Sequence, residues 1–198
     1  MVSGRREAQR DRMRARLLAA ALELFRQQGY ETTTIDRIAD RADVARQTVL
    51  NHYPLKRDFL RAWGQDRRDQ LLDLADAAGT DEPDSTQLHR YYAALARMNE
   101  GERDLTRMLH LSLPHDDVLA HQRPVPDAVL TAIRRGQDRG EFDAAADPLT
   151  VAEVLTAIYF DTLSRWLTER DPPFDLAGAL AAKLDLLLAG LTMQRPAP

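Results

Sequence analysis

The chain contains no cysteine among its 198 residues. This absence excludes a disulfide framework, cysteine-ligated zinc and a cysteine nucleophile, and it fits a reducing, cytoplasmic setting. No uncharged apolar run approaches the roughly 18 residues of a membrane span, and the start, MVSGRREAQRDRM, lacks the apolar stretch of a signal peptide. We therefore expect a soluble, intracellular protein.

The common catalytic and cofactor motifs are also missing. The nine glycines include no G-x-G pair, so there is no phosphate-binding or dinucleotide-binding fingerprint. Neither H-E-x-x-H nor G-x-S-x-G occurs, so no protease or hydrolase motif assembles a nucleophile. We expect no enzymatic activity and no cofactor, and we predict no catalytic residue.

Apolar residues recur at steps of three and four, and no strand alternation persists anywhere. The prolines separate the helical stretches because proline disrupts helix interiors. Helices are predicted at residues 10–28, 33–41, 46–53, 55–78, 85–99, 103–112, 127–139, 149–170 and 174–192, with a loop at 113–125. The predicted fold class is therefore all-α, with Gly29 ending the first helix and Thr33 capping the second.

Charge is distributed unevenly along the chain. Residues 1–62 hold 13 Lys and Arg against 8 Asp and Glu, a net charge of +5, and residues 63–198 carry −9. A basic N-terminal part followed by an acidic remainder is typical of a protein that binds an anionic polymer through one end. An ordinary solvated surface can have the same uneven charge. We predict two domains, residues 1–62 and residues 63–198.

Between the second and third predicted helices lie a three-residue turn, 42–44, and the cap position Ala45. This spacing is typical of a helix-turn-helix, whose second helix enters the major groove of DNA. Four polar residues near the start of that helix have side chains suited to base edges or methyl groups: Arg46, Gln47, Thr48 and Asn51. At this point, a helical hairpin with a solvated polar face remains the alternative.

Residues 29–60, GYETTTIDRIADRADVARQTVLNHYPLKRDFL, resemble the DNA-binding domain of the tetracycline-repressor (TetR) family. The matching positions are Gly29, Thr33, Thr34, Ile38, Ala39, Ala42, Val44, Thr48, His52, Tyr53 and Lys56. The later run GQDRGEF, followed by DPLTVAEVL, agrees in layout with the family's connection between its seventh and eighth helices. The resemblance implies a three-helix DNA-binding domain, joined by helix four to a C-terminal helical domain for ligand binding and dimerisation.

The resemblance also implies a function. It implies a sequence-specific transcriptional regulator, in most cases a repressor that a small molecule releases from a palindromic operator. The implied phosphate contacts are Thr33, Thr34, His52, Tyr53 and Lys56, and the implied base contacts are Arg46, Gln47, Thr48 and Asn51. The first turn of a helix favours an anion on physical grounds, which supports Lys56, whereas a packing role is the alternative for His52.

Three positions depart from the family pattern. Asp43 replaces the usual turn glycine, and aspartate tolerates a left-handed backbone better than most residues. Ala45 replaces a serine and loses a helix cap, which is worth roughly 0.5–2 kcal/mol. Leu50 replaces a tyrosine that commonly contacts phosphate. These departures leave a second hypothesis open: a helical ligand-binding or interaction module that keeps the fold without reading DNA.

The last two predicted helices carry apolar stripes wider than one core face needs. We predict that they form a homodimer seam that includes Leu184, with a central core helix in a monomer as the alternative. A charged side chain at this position would then fall between two subunits.

Five large or adaptable side chains are candidates for the effector pocket: Trp63, Tyr92, Met108, His110 and Trp166. Each of them also suits an ordinary core position. A second group has residue types that bind metals: His110, His115, Asp116, Asp117 and His121. Its histidines are five and six residues apart and do not stack on one helix face, so we expect a polar loop and no metal.

Overall fold

A computed structural model describes residues 2–76, 82–112, 125–169 and 171–192. The regular secondary structure in this part of the chain is all α-helix, without strands, which confirms the predicted class. Its nine helices are α1 (Val2–Gln28), α2 (Ile35–Arg41), α3 (Arg46–His52), α4 (Lys56–Asp76), α5 (Asp84–Gly101), α6 (Arg103–Ser112), α7 (Asp127–Asp138), α8 (Pro148–Thr168) and α9 (Leu176–Leu191). None of these described helices is long and apolar enough to cross a membrane.

The chain forms two compact units. Of the described residues, the first combines residues 2–68 with residues 104–112, and the second holds residues 69–76, 82–103, 125–169 and 171–192. The first unit therefore contains α1, α2, α3, the first part of α4 and nearly all of α6. The boundary at residue 62 was predicted between a DNA-binding domain and a ligand-binding domain, and this functional division stays a prediction.

The core of the first unit is built on the periodicity of α1. Leu17, Ala21 and Phe25 recur every four residues and are fully buried, as the spacing predicts for one helix face. They pack in one cluster with apolar residues of α2, α3 and α4, and Leu105 of α6 is fully buried in the same cluster. A helix distant in sequence therefore completes the core that supports the helix-turn-helix.

The second unit contains a buried ion pair beside its apolar core. The side chain of Asp84, at the start of α5, has no solvent exposure and pairs with Arg135 and Arg139. Glu141 accepts hydrogen bonds from the backbone N–H groups of Asp84 (2.7 Å) and Ser85 (2.9 Å). Burial acts to raise the pKa of Glu141, but the hydrogen bond from the Ser85 hydroxyl, together with these backbone bonds and the charge of Arg139, lowers it on balance. The carboxylate thereby caps a helix that has no side-chain cap of its own.

The ends of two helices correct the sequence-based expectations. α1 begins at Val2, eight residues before the predicted Arg10, and it ends as predicted before Gly29, whose φ of +86° suits glycine. Thr34, not Thr33, is the N-cap of α2, because the Thr34 hydroxyl accepts a hydrogen bond from the backbone N–H of Arg37.

The apolar residues of α8 and α9, from which the dimer seam was predicted, lie on two different sides of these helices. Leu184 is 2% exposed and packs inside its own unit, so the prediction that it lies in an intersubunit seam was wrong for this residue. Exposed apolar side chains do occur on the same helices, at Val154 of α8 (40% exposed) and at Leu186 of α9 (78% exposed). A seam through α8 and α9 would involve these outer positions.

Candidate nucleic-acid interface

The turn between α2 and α3 is tight and internally braced. Asp43 has a φ of +49°, the left-handed conformation expected at the position of the usual glycine. The Val44 N–H donates to the Ala39 carbonyl at 3.0 Å. From α1, the Arg16 guanidinium donates to the carbonyls of Ala42 and Asp43. These contacts tie the turn back to α2 and α1 and thereby hold α3 in place.

The start of α3 has no side-chain cap. Ala45 occupies the N-cap position in an extended conformation and makes no capping hydrogen bond, as the sequence predicts. Val49 is fully buried and anchors one side of α3, while Arg46, Gln47 and Asn51 are exposed on the other. Thr48 is half-buried. A short helix with a buried anchor and an exposed polar face is the arrangement that major-groove reading requires.

The exposed polar side chains of α3 are paired with near neighbours. Arg46 Nε lies 3.0 Å from Asp36 Oδ1, and these two side chains are 59% and 67% exposed. Gln47 Nε2 donates to Asn51 Oδ1 at 3.0 Å. Sequence reasoning missed Asp36 as a partner of the reading residues, although its place in the first turn of α2 is visible in the sequence. For the predicted base contact to form, a base edge would have to replace Asp36 as the partner of Arg46.

The threonine pair expected near phosphates is split between two environments. Thr34 is exposed at the N-terminus of α2. Thr33 is 1% exposed, and its hydroxyl donates to the Gly29 carbonyl at 2.8 Å and accepts from Gln28 Nε2 at 3.0 Å. Thr33 thus ties the end of α1 to the start of α2, and its predicted phosphate contact stays a prediction.

Lys56 stands at the start of α4 and is held by the residues that follow α1. Its Nζ donates to the Tyr30 carbonyl at 2.7 Å and to the Glu31 carbonyl at 3.3 Å, and it lies 4.1 Å from the centre of the Tyr30 ring. Asp58 accepts a hydrogen bond from the Leu55 N–H and caps the same turn. These contacts orient the ammonium group beside the first turn of α4.

His52 and Tyr53 close the end of α3. Tyr53 is 2% exposed, stacks on Phe59 at 4.1 Å between ring centres and donates through its hydroxyl to the Arg14 carbonyl at 3.3 Å. The Arg14 guanidinium donates to the His52 carbonyl at 3.1 Å. Among the described residues His52 Nδ1 has no hydrogen-bond partner. Burial first, and then the charges of Arg10 and Arg14, lower the pKa of His52.

A cavity of about 650 Å³ lies next to His52 within the first unit. Its walls include Arg14, Tyr53, Arg61 and Leu109. None of the five effector candidates named from the sequence is among the residues that line it.

The five effector candidates do not form one cluster. Trp63 and Met108 pack in the core of the first unit, while Tyr92 and Trp166 belong to two different clusters of the second. His110 is half-buried on α6. Because four of the five serve in three separate cores, their assignment to an effector pocket stays a prediction.

The second unit contains a buried polar group that was not predicted from the sequence. Asn99 is 5% exposed, and its Nδ2 donates to the Tyr159 hydroxyl at 2.9 Å and to the Leu95 carbonyl at 2.7 Å. Tyr91 and Tyr92 lie nearby, and burial raises the pKa of Tyr91 to about 12. An amide among the apolar residues of helix 85–99 was the signal available in the sequence.

The metal hypothesis falls mostly outside the described residues, since His115, Asp116, Asp117 and His121 lie between the described segments. Within those segments, no group of three or more potential ligands is arranged to hold a metal ion.

Comparison with known proteins places this geometry in a family. The model of bacterial regulatory proteins of the tetR family matches residues 17–63. The transcriptional repressor KstR of Rhodococcus jostii (strain RHA1) is 28% identical over 184 residues, covering 91% of this chain and 84% of the relative. The transcriptional activator FasR of Mycolicibacterium smegmatis is 27% identical over 188 residues, covering 92% and 84%.

Solved structures agree over nearly the whole chain. The TetR family repressor FadR of Thermus thermophilus, crystallised with lauroyl-CoA, superposes with a TM-score of 0.72 at 29% identity, covering 93% of this chain and 98% of that one. The fold and the exposed polar face of α3 define a helix-turn-helix transcriptional regulator. Residues 17–63 match the family model of tetR bacterial regulatory proteins, which confirms the resemblance seen in the sequence.

Proposed function

We propose that the protein is a homodimeric repressor that binds a palindromic operator and leaves it when a small molecule binds. It acts in the cytoplasm as a regulator and not as an enzyme. The observation that carries the proposal is α3, which is anchored by buried Val49 and exposes Arg46, Gln47 and Asn51 on its outer face. Named repressors among its relatives support the direction of regulation.

The base contacts fall to the exposed face of α3. Arg46 and Gln47 bind base edges, Asn51 orients Gln47 or reads a neighbouring base, and Thr48 offers a methyl group to thymine. Thr34, His52 and Lys56 contact phosphates, while Tyr53 supports them from the core. Thr33 contributes through the backbone that it braces.

Selection of genomic DNA fragments with the purified full-length chain tests this function. We expect enrichment of one palindromic motif, whose half-sites are separated by about one helical turn or a multiple of it. Binding of that motif is then compared with binding of a random duplex. Equal affinity for the motif and for the random duplex would exclude sequence-specific DNA binding. It would favour the alternative, a helical ligand-binding or interaction module that does not read DNA. A reporter fused to the selected promoter distinguishes repression from activation, which matters because FasR is named an activator.

For the effector, we propose a molecule with an apolar chain, such as an acyl-coenzyme A. The support is the similarity to FadR of Thermus thermophilus, whose structure contains lauroyl-CoA. Asn99 and the neighbouring tyrosines are the polar groups of the second unit that would orient such a molecule. Lauroyl-CoA should dissociate the operator complex, whereas coenzyme A alone should leave it intact. Tight binding of lauroyl-CoA without any change in operator affinity would contradict the proposal.

The homodimer follows from the exposed apolar side chains of α8 and α9. Leu186 exposes 78% of its surface and Val154 exposes 40%. Burying these side chains against a second copy removes apolar surface from water. A two-fold arrangement also presents two copies of α3, which a palindromic operator requires. Sedimentation at micromolar concentration should therefore show a dimer.

A further inference from the structure

The N-terminal part of α1 carries arginines on two different faces. The helix is continuous from Val2, so its residues follow a spacing of about 1.5 Å per residue and 3.6 residues per turn. Arg6, Arg10 and Arg14 are four residues apart and form one row along the helix, which we call the basic stripe. Arg5, Arg12 and Arg16 lie on the roughly opposite face.

The basic stripe leads to the end of the reading helix. At its inner end, Arg14 donates to the carbonyl of His52 at 3.1 Å and lies 4.7 Å from the centre of the Tyr53 ring. The next arginine outward, Arg10, is close enough for its charge to act on the His52 ring. The stripe is therefore continuous with the residues that follow the base-reading face of α3.

The opposite row ends in a different environment. Arg16 donates to the carbonyls of Ala42 and Asp43 and braces the turn of the helix-turn-helix. The two rows have the same number of charges, but only one of them ends at the expected phosphate-binding residues.

We propose that the basic stripe extends the DNA interface along α1 and binds backbone phosphates beyond the bases that α3 reads. Arg6 and Arg10 are exposed, as a contact with the DNA backbone requires. Successive stripe residues lie about 6 Å apart along α1, which is close to two phosphate steps of about 3.4 Å each along the duplex axis. Because phosphates are the same at every base pair, the stripe adds affinity without sequence preference.

One acidic residue opposes this contact. Glu7 is exposed and lies beside the stripe, one residue after Arg6 and three before Arg10. Its carboxylate repels phosphates, so Glu7→Gln should strengthen DNA binding. This variant is a useful test because a misfolded protein would bind DNA more weakly, not more tightly.

The experiment compares two double variants of the full-length protein. R6Q/R10Q removes two charges from the stripe, and R5Q/R12Q removes two from the opposite face of the same helix, so net charge and helix length stay matched. Operator and random duplexes are titrated by fluorescence anisotropy over a series of salt concentrations. Circular dichroism of each variant checks that the helices are retained.

We expect R6Q/R10Q to weaken binding to both duplexes equally and to reduce the slope of log K against log salt by about 1.8 per subunit. R5Q/R12Q should change that slope by less than about half a unit, and E7Q should tighten binding to both duplexes. Equal effects of the two double variants, or a change confined to the operator, would overturn the inference.

The basic stripe rests on the proposed function, but binding of operator and random DNA by the unmodified protein tests that function separately. If the unmodified protein does not prefer its operator to random DNA, the proposed function fails. If it does prefer the operator and the two double variants behave alike, only the basic stripe is excluded.

Discussion

The pair formed by Arg46 and Asp36 leads to a prediction about how the protein reads DNA. To contact a base, the Arg46 guanidinium must leave a carboxylate that lies 3.0 Å away. Both side chains are more than half exposed, and exposed ion pairs are worth about 0–1 kcal/mol. Breaking the pair therefore costs little, but Asp36 still competes with the base. Asp36→Asn removes the competition and should tighten operator binding by up to about fivefold per half-site.

The companion change, Arg46→Ala, should have the opposite effect. Loss of a paired hydrogen bond to a base costs about 1–3 kcal/mol and relaxes the preference at one position of each half-site. The assay is fluorescence anisotropy on the operator and on variants of the contacted base pair. Arg37→Ala is the control, because Arg37 is an exposed arginine of α2 that hydrogen-bonds Gln28 of α1.

The double variant decides between two actions of Asp36. If the carboxylate acts through Arg46, Asp36→Asn has no effect once Arg46 is alanine. If it acts by repelling phosphates, the gain persists in that background and appears equally on random DNA. The second result would refute the idea that Asp36 holds the reading side chain. Thermal melting is measured alongside, since an acidic residue in the first turn of α2 also stabilises that helix.

Three other positions offer independent tests. Lys56→Ala should weaken operator and random-duplex binding alike and make the salt dependence shallower by about one unit per subunit, as measured by titration at several salt concentrations. The lowered pKa of His52 means that the folded protein binds this proton less readily than the unfolded chain, so stability should fall as pH drops through the usual value of 6.5. Urea unfolding between pH 7.5 and pH 5.5 should show a smaller decline in His52→Gln, and an unchanged decline would assign it to other groups. Leu186→Glu should produce monomers in sedimentation at micromolar concentration, while Leu111→Glu, which alters another exposed leucine, should leave the dimer intact; dimers in both would exclude Leu186 from the seam.

The fold could be predicted from the sequence because buried helix faces leave a periodic apolar pattern. Leu17, Ala21 and Phe25 recur at such a period, and their helix was found. The error at the start of α1 has the same origin. Residues 2–9 have no apolar face to bury, so nothing in the periodicity indicates that they are helical. Helix propensity supports this stretch, with its Arg, Glu, Ala and Gln residues, but it is a weaker signal than burial.

The site was predicted less completely because local hydrogen bonds decide what each side chain does. Thr33 and Thr34 are chemically identical neighbours, and the sequence offers no means of choosing the cap. In the structure, Thr33 is turned inward by its bonds to Gly29 and Gln28, which leaves Thr34 to accept from the backbone of α2. The family resemblance implies the same phosphate contact for both threonines, so it could not distinguish their roles.

The predicted seam shows a similar limit. A wide apolar stripe indicates that a helix is covered on more than one side, but it does not say which residue faces which neighbour. Leu184 and Leu186 are two positions apart on α9, about 200° around the helix. The first lies in the core of its own unit, and the second is exposed. Assigning them required the positions of α5 and α8, which the sequence pattern does not contain.

The expected DNA-contacting side chains differ in how tightly the free protein holds them. Arg46 is paired with Asp36, and Gln47 with Asn51, through contacts at the exposed surface. Such contacts keep a side chain near its reading position at little energetic cost, because water competes with them in the free protein. DNA can therefore replace these partners. Thr33 differs because its hydrogen bonds are buried, and giving them up would leave polar groups unsatisfied inside the protein. We therefore expect the exchangeable pairs to take part in base reading, and the buried hydrogen bonds to hold α3 in position for it.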